Sequence, residues 1–225
     1  MPTPGKIYIV ATPIGNPADI TLRAIETLRQ ADAIICEEQR EGSSLLKRLG
    51  ISPRELILLN EHNEQELVPE LVNRILLNGG VFALITDCGT PVFADPGHGL
   101  IRAASQMGIT VSPVPGPSSH LAALSILDFQ PERFYFGGFL PRPPEERRRE
   151  LTRLRGLRIP VVLMDTPYRL SALLEDVGRA FGKGHQVTIA ADLTLSSETI
   201  LRGPVGELKR QLNNRKAEFI LIIHS

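Results

Sequence analysis

The sequence contains few cysteines, and their spacing predicts no disulfide framework. The only two cysteines, Cys36 and Cys88, are far apart, and neither belongs to a C-x-x-C pair or to a Cys/His cluster. This spacing argues against a disulfide-stapled fold and a zinc knuckle, so we expect no metal site and a reducing compartment.

An excess of charge of one sign and long apolar runs are also missing. Lys plus Arg and Asp plus Glu both number 25, so the net charge is zero and any basic site must be local. No apolar run approaches the roughly 18 residues of a membrane helix, and the sequence begins without a secretory pattern. We therefore expect a cytoplasmic protein with no membrane or DNA partner.

The apolar material is distributed as in an α/β protein. Hydrophobic residues make up 42% of 225 residues, enough for one large or two small domains. Short β-branched runs alternate with helix-like stretches, which predicts βαβ units and a largely parallel sheet. Strands are expected at 6–11, 31–36, 55–59, 81–86 and 109–114, and later at 160–164, 187–191 and 219–224. A shift toward Phe, Tyr, Gly and Pro at 131–144 marks a new unit, and we predict domains 1–115 and 116–225.

Common catalytic and nucleotide-binding motifs are absent, and the polar loops carry the functional signal instead. The sequence has no phosphate-binding P-loop, no H-E-x-x-H helix and no G-x-S-x-G elbow. Five polar loops follow predicted strands: TPIGNPADI, CEEQREG (36–42), NEHNE, TDCGTPVFADPG and PGPSS. The carboxyl ends of parallel strands are where such sheets bind ligands, although each loop alone also fits an ordinary turn or helix cap.

The order of the motifs is more specific than any one of them. VATPIGNPADITLRA, EEQR, NEHNE, TDCGTPVFADPG, VPGPSSHLAAL, FYFGGFLPR and DTPYR, in that order, resemble the ribosomal RNA small-subunit methyltransferase I family of the tetrapyrrole methylase superfamily. The resemblance spans nearly the whole chain. It implies two α/β domains of the class III S-adenosylmethionine (SAM) methyltransferase type, with the cofactor in the interdomain cleft. It also implies a homodimer and a cytidine 2′-hydroxyl of small-subunit ribosomal RNA as acceptor.

The resemblance also assigns site residues. The cofactor site it implies comprises Pro13, Asp87, Cys88, Gly89, Thr90, Phe93, Ser118, Ser119, Asp165, Thr166 and Leu193. A ribose hydroxyl must lose a proton, for which His62 is the first candidate and Glu37 the second. Arg40 would bind a phosphate or carboxylate of the substrate. His62 could equally be a solvent-facing residue at a helix start, and Arg40 could form a salt bridge.

Some segments differ from the family pattern, which leaves other acceptors open. Where relatives read E-D-T-R-H-T and Y-E-S-P-H-R, this chain has EEQREG and MDTPYR, and it stops without the C-terminal extension of many members. The alternatives are a tetrapyrrole or other small acceptor, and a SAM-binding protein that has lost catalysis.

Arginines crowd one segment of the second half, at positions 142, 147, 148, 149, 153, 155 and 158. The segment would contact RNA phosphates, or it forms a solvated helix face that is partly neutralised by its glutamates.

Overall fold

The computed structural model describes residues 5–92, 95–213 and 215–225. The chain divides into two compact units, Met1–Ser118 and Ser119–Ser225. Within the described part of the chain, no helix is long and apolar enough to cross a membrane.

The first unit alternates strands and helices. Its strands are β1 (Lys6–Val10), β2 (Ala33–Cys36), β3 (Leu56–Leu58), β4 (Val81–Leu84) and β5 (Thr110–Val114). Its helices are α1 (Leu22–Gln30), α2 (Gln39–Arg48), α3 (Glu64–Asn78) and α4 (His98–Gln106). The strand order is β3-β2-β4-β1-β5 and every pair is parallel, so all five carboxyl ends meet at one edge. The expected parallel sheet is confirmed for this unit.

The apolar runs form this sheet because helices cover both of its faces. Ile7 and Ile35 pack with α3 and α4 on one side, whereas Val10 and Ile34 pack with α1 and α2 on the other. Alternate side chains of a strand point to opposite faces, so a strand buried on both faces must be apolar throughout.

Helix α2 begins earlier than expected, which corrects the predicted loop 36–42. Cys36 ends β2 and Gln39 already begins the helix, so the loop contains only Glu37 and Glu38. Gly42 reads as a loop residue in the sequence, but it is a packing position. A Cβ there would lie 3.0 Å from the Cβ of Cys36, so the glycine lets α2 lie directly on β2.

Helix α4 is capped by a side chain from another helix. Its cap residue, Gly97, has no side chain that could accept a hydrogen bond. Instead, Oε1 of Glu64 accepts the backbone N–H groups of Gly97 at 3.0 Å and Gly99 at 2.9 Å. Since Glu64 is also the first residue of α3, its negative charge lies at the positive ends of two helix dipoles.

We expect Glu64→Ala to lower the free energy of unfolding by about 1–3 kcal/mol, because two backbone donors lose a charged acceptor. Glu66→Ala is the matched control, since this exposed glutamate lies in the same helical turn and should change stability by less than about 0.5 kcal/mol. Denaturant unfolding of both variants measures the difference. Equal effects would show that the cap contributes nothing of its own.

The second unit has a mixed sheet. Its strands are β6 (Tyr135–Phe139), β7 (Val161–Asp165), β8 (Gln186–Ala191), β9 (Thr199–Pro204) and β10 (Phe219–Ile223), in the order β6-β7-β10-β8-β9. Its helices are α5 (Ser119–Ser125), α6 (Pro144–Gly156), α7 (Leu170–Phe181) and α8 (Val205–Leu212).

The expectation of a largely parallel sheet is wrong for this unit. Only β6 and β7 pair in parallel, and the pairs β7–β10, β10–β8 and β8–β9 are antiparallel. For β8 and β9 the reason is their short connection, which leaves no room for the crossover helix that parallel neighbours need. Helices α6, α7 and α8 cover one face of the sheet, and α5 packs on the other.

Candidate functional site

Three loops at the carboxyl edge of the first sheet are joined by hydrogen bonds. The backbone of buried Thr12, just after β1, exchanges two bonds with Gly89, after β4, at 2.8 and 3.1 Å. The Thr12 hydroxyl also donates to the carbonyl of Thr86 at 3.2 Å. The hydroxyl of Thr90 donates to the carbonyl of Pro117, after β5, at 3.1 Å. These bonds connect the loops that carry the cofactor residues predicted for this unit.

Gly89 has the backbone conformation that this connection requires. Its φ is +81°, in the left-handed region where side chains are disfavoured. A Cβ at this position would lie 3.4 Å from the side chain of Ile14. The glycine thus permits the backbone conformation in which its N–H and C=O groups both bond to Thr12.

A cavity of about 180 Å³ lies beside these loops. It brings together three predicted cofactor residues, Pro13, Asp87 and Cys88. Glu41 and Arg48 of α2 line it as well, and the sequence interpretation missed both. Their spacing of two helical turns is the signal that could have found them, had the helix been expected to begin at Gln39. The volume is below the roughly 300 Å³ usual for a small-molecule pocket, so it suits part of a ligand.

The same edge concentrates carboxylates. Burial, together with the negative charges of Asp95, Asp87 and Glu61, raises the pKa of Glu37 to about 7. Burial likewise raises the pKa of Asp87, with contributions from Glu38 and Glu41. We call these residues the acidic edge: Glu37, Glu38, Glu41, Glu61, Asp87 and Asp95. A carboxylate with a pKa near neutrality can accept a proton at physiological pH and release it again.

The neighbouring thiol, that of Cys36, also has a raised pKa, which makes it less reactive. Burial, together with the negative charges of Asp87 and Glu38, raises the pKa of Cys36 to about 11. Since the thiolate is the reactive form, Cys36 is a packing residue and not a nucleophile.

The other predicted catalytic residues are more exposed than Glu37. His62 lies in the turn before α3, and its side chain is 84% exposed. Its Nε2 is 3.6 Å from a carboxylate oxygen of Glu61, and its backbone N–H donates to Asn60. Arg40 is exposed in the first turn of α2. Both side chains can therefore reach a substrate that approaches from solvent.

In the second unit, Asp165 carries an unsatisfied buried oxygen. Asp165 ends β7 and is 7% exposed. Its Oδ1 accepts the backbone N–H of Thr166 at 2.8 Å. Its Oδ2 has no hydrogen-bond partner within the described structure, and the Nε of Arg169 is 3.4 Å away. A buried carboxylate oxygen in this state fits a hydrogen-bond donor supplied by a ligand.

The loop that carries Leu193 has a strained backbone. Asp192 and Thr194, on either side, have φ values of +52° and +67°. Arg215 holds the loop through a 2.8 Å ion pair with Asp192, and Glu198 accepts the N–H of Thr194 at 2.7 Å. Non-glycine residues in this conformation cost about 1–3 kcal/mol each and cluster at ligand sites.

The remaining predicted residues are placed without a distinctive geometry. Ser118 and Ser119 are half-buried at the end of the first unit and the start of α5. Phe93 lies outside the described residues. In the ranges that the structure describes, no group of three or more His, Cys, Asp or Glu side chains could hold a metal ion.

Comparisons with known proteins agree in family and fold. The family described as Tetrapyrrole (Corrin/Porphyrin) Methylases matches residues 6–209. The chain is 41% identical to the "Ribosomal RNA small subunit methyltransferase I" of Xylella fastidiosa (strain Temecula1), covering 99% of this chain and 82% of that protein. It is 40% identical to the protein of the same name from Escherichia coli O157:H7, covering 97% and 77%.

Solved structures share the fold at lower identity. A diphthine synthase superposes with a TM-score of 0.72 at 14% identity, covering 98% of this chain and 90% of that one. A uroporphyrin-III-C-methyltransferase from Thermus thermophilus gives a TM-score of 0.64 at 22% identity, covering 98% and 94%. At these identities the likeness concerns the fold alone.

Proposed function

Since this chain belongs to the ribosomal RNA small-subunit methyltransferase I family of SAM-dependent tetrapyrrole methylases, we propose that it methylates the 2′-hydroxyl of a cytidine in small-subunit ribosomal RNA. The observation that carries the choice of a hydroxyl acceptor is Glu37. A hydroxyl must lose its proton as it is methylated, and Glu37 is a half-buried carboxylate with a pKa of about 7.

The residues of both units fit the cofactor's chemistry. SAM, when bound, supplies a methyl group on a positively charged sulfonium. The acidic edge favours a cationic ligand, and Oδ2 of Asp165 has no hydrogen-bond donor within the described structure. We propose that the cofactor is held by the predicted residues Pro13, Asp87, Cys88, Gly89, Thr90, Phe93, Ser118, Ser119, Asp165, Thr166 and Leu193.

The proposed roles of the remaining residues follow from their exposure and charge. Glu37 accepts the proton of the acceptor hydroxyl, and His62 is the second candidate for that role. Arg40, exposed at the start of α2, binds a phosphate next to the acceptor ribose.

The arginine-rich segment forms α6, and part of its charge is used within the protein. Arg147, Arg148 and Arg153 form ion pairs with Asp176, Glu145 and Glu150, at 2.6, 2.7 and 2.6 Å. Arg142, Arg149, Arg155 and Arg158 are exposed, and no ion pair involves them within the described part of the chain. We propose that these four arginines contact RNA. We further propose a homodimer that works in the cytoplasm.

Transfer of a tritiated methyl group tests the proposal. Small ribosomal subunits from cells that lack the related enzyme are incubated with methyl-labelled SAM, and the RNA is separated and digested. We expect label on the ribose of one cytidine, and no label on subunits from cells that contain the enzyme, where the site is already methylated. Label on a base or on protein would contradict the 2′-hydroxyl.

The same experiment tests the two alternative functions, methylation of a small acceptor and SAM binding without catalysis. Label in a small tetrapyrrole offered in place of the subunit would identify the acceptor class known from the wider superfamily. No label in any acceptor, with SAM binding intact, would show a protein that keeps the cofactor but not the reaction.

A further inference from the structure

The outer surface of the second unit has a groove between α7 and α8. Its volume is about 890 Å³. Gly178 and Gly206 line the groove, so no side chain projects into it at these two positions. The loop after α7 is fixed against the start of α8, because the N–H of Gly206 donates to the carbonyl of Lys183 at 2.9 Å. The groove is therefore built from two helices and a fixed loop.

Positive charge predominates in this groove. Four cationic side chains line it, those of Arg179, Lys183, Lys209 and Arg210, together with two acidic ones, Glu175 and Glu207. Glu175 is shared, since Lys209 lies 2.6 Å from one of its oxygens and Arg179 pairs with the other. Lys183 and Arg210 are exposed, and neither forms an ion pair with any residue that the structure describes. Both remain available to an external anion.

A second groove continues this surface. It lies between α6 and α7, has a volume of about 380 Å³, and is lined by Arg148, Arg155 and Arg179. Because Arg179 lines both grooves, the cations form one continuous surface over three helices. We call it the basic helix face, defined by Arg148, Arg155, Arg179, Lys183, Lys209 and Arg210.

The basic helix face contrasts with the acidic edge of the first unit. Four carboxylates line the same two grooves, those of Glu145, Glu175, Asp176 and Glu207, so the six cations leave a local excess of two positive charges in a chain whose net charge is zero. Clustered carboxylates repel a polyanion, and thus the acidic edge cannot itself supply electrostatic affinity for RNA. That affinity must come from another surface, and most nonspecific affinity for nucleic acid arises from Lys and Arg beside phosphates.

We propose that the basic helix face, which contains neither Glu37 nor any predicted cofactor residue, binds the phosphodiester backbone of the RNA substrate. The inference rests on the proposed function, because RNA is the acceptor class proposed there. Cations spread over three helices and a loop suit a continuous chain of phosphates better than one small anion. Contacts of this kind fix the position of an RNA without reading its sequence.

The test compares two double variants with the same loss of charge. K183A/R210A removes the two unpaired cations of the α7–α8 groove, and R23A/R29A removes two exposed cations of α1. Binding to a transcript of small-subunit ribosomal RNA is measured from about 50 to 300 mM salt. We expect K183A/R210A to weaken binding and to lower the slope of log K against log salt by about 2, one for each phosphate contact. R23A/R29A should keep the wild-type slope.

Other results would overturn the inference. An unchanged slope in K183A/R210A, with thermal unfolding like that of the wild type, excludes this surface as the phosphate contact. Weaker binding to intact subunits with normal binding to the transcript identifies a ribosomal protein as the partner instead.

Methyl transfer, measured on the same preparations, keeps this inference distinct from the proposed function. If the wild-type enzyme labels RNA but K183A/R210A keeps the wild-type slope, the proposed function stands and the proposed phosphate-binding surface is wrong. If the wild-type enzyme labels no RNA but K183A/R210A lowers the slope, the proposed function is wrong and the phosphate-binding surface stands.

Discussion

Glu37→Gln is expected to lower the rate of methyl transfer by about 10²- to 10⁴-fold, the usual contribution of a positioned general base. The amide has nearly the same size as the carboxylate but cannot accept the proton. The affinity for SAM should change by less than about threefold, as the substitution removes one negative charge of several at the acidic edge. Single-turnover transfer of labelled methyl groups and equilibrium binding of SAM measure the two quantities separately.

The pH dependence provides an independent readout of Glu37. Its pKa is raised to about 7, and only the ionised form accepts a proton. The wild-type rate should therefore rise with pH through about 7 and level off above it, and this rise should disappear in Glu37→Gln.

His62→Ala is the matched comparison, since His62 is the second candidate for the same role. If Glu37 is the base, His62→Ala keeps the pH profile and loses at most about tenfold in rate. A large loss in His62→Ala together with normal turnover in Glu37→Gln would assign the proton to the histidine.

Asp165→Asn is expected to weaken SAM binding by about 10- to 100-fold and to destabilise the free protein less than Asp176→Asn does. A hydrogen bond to a charged group contributes about 1.5–3 kcal/mol, which corresponds to this range of affinity. In the free protein, Oδ2 of Asp165 is buried without a hydrogen-bond partner, so the substitution removes from that atom only the 3.4 Å ion pair with Nε of Arg169. Asparagine retains an oxygen that can accept the N–H of Thr166.

Asp176→Asn is the control, because it affects a carboxylate that is already satisfied. Asp176 pairs with Arg147 at 2.6 Å, and both side chains are largely buried. We expect this variant to lose about 1–3 kcal/mol of unfolding free energy and to bind SAM normally. Calorimetric SAM titration and denaturant unfolding of the two variants should thus give opposite patterns. A destabilised Asp165→Asn with normal SAM affinity would make Asp165 a structural residue.

The first sheet could be predicted because its central strands are largely apolar. β2 and β4 contain no charged residue, and the runs at β1 and β4 are followed by loops rich in Gly and Pro. In the second unit β9 was missed because its second half reads Arg202-Gly203-Pro204, residue types that are uncommon within strands. Helix α8 follows β9 directly. Because the sequence pattern does not indicate β9, it does not indicate where α8 begins, and the α7–α8 groove could not be predicted.

The site was predictable as a set of loops but not as an electrostatic environment. Gly89 and Thr90 belong to a loop whose composition is that of a ligand-binding turn. The raised pKa of Glu37 arises from burial and from Asp87 and Asp95, which are distant in sequence and meet it only at the carboxyl edge. Likewise, the missing hydrogen bond of Asp165 is a property of its folded surroundings and leaves no mark in the sequence around it.

The position of β10 has a consequence for how the protein is made. β10 is the last strand in the sequence, yet in the second sheet it lies between β7 and β8. A chain emerging from the ribosome presents the strands of the first unit early, so that unit can fold while synthesis continues. Until β10 emerges, β7 and β8 each lack a neighbour, and open edges of apolar strands are sites of aggregation. The nascent second unit therefore depends on rapid completion, or on chaperones, to remain monomeric until its central strand is in place.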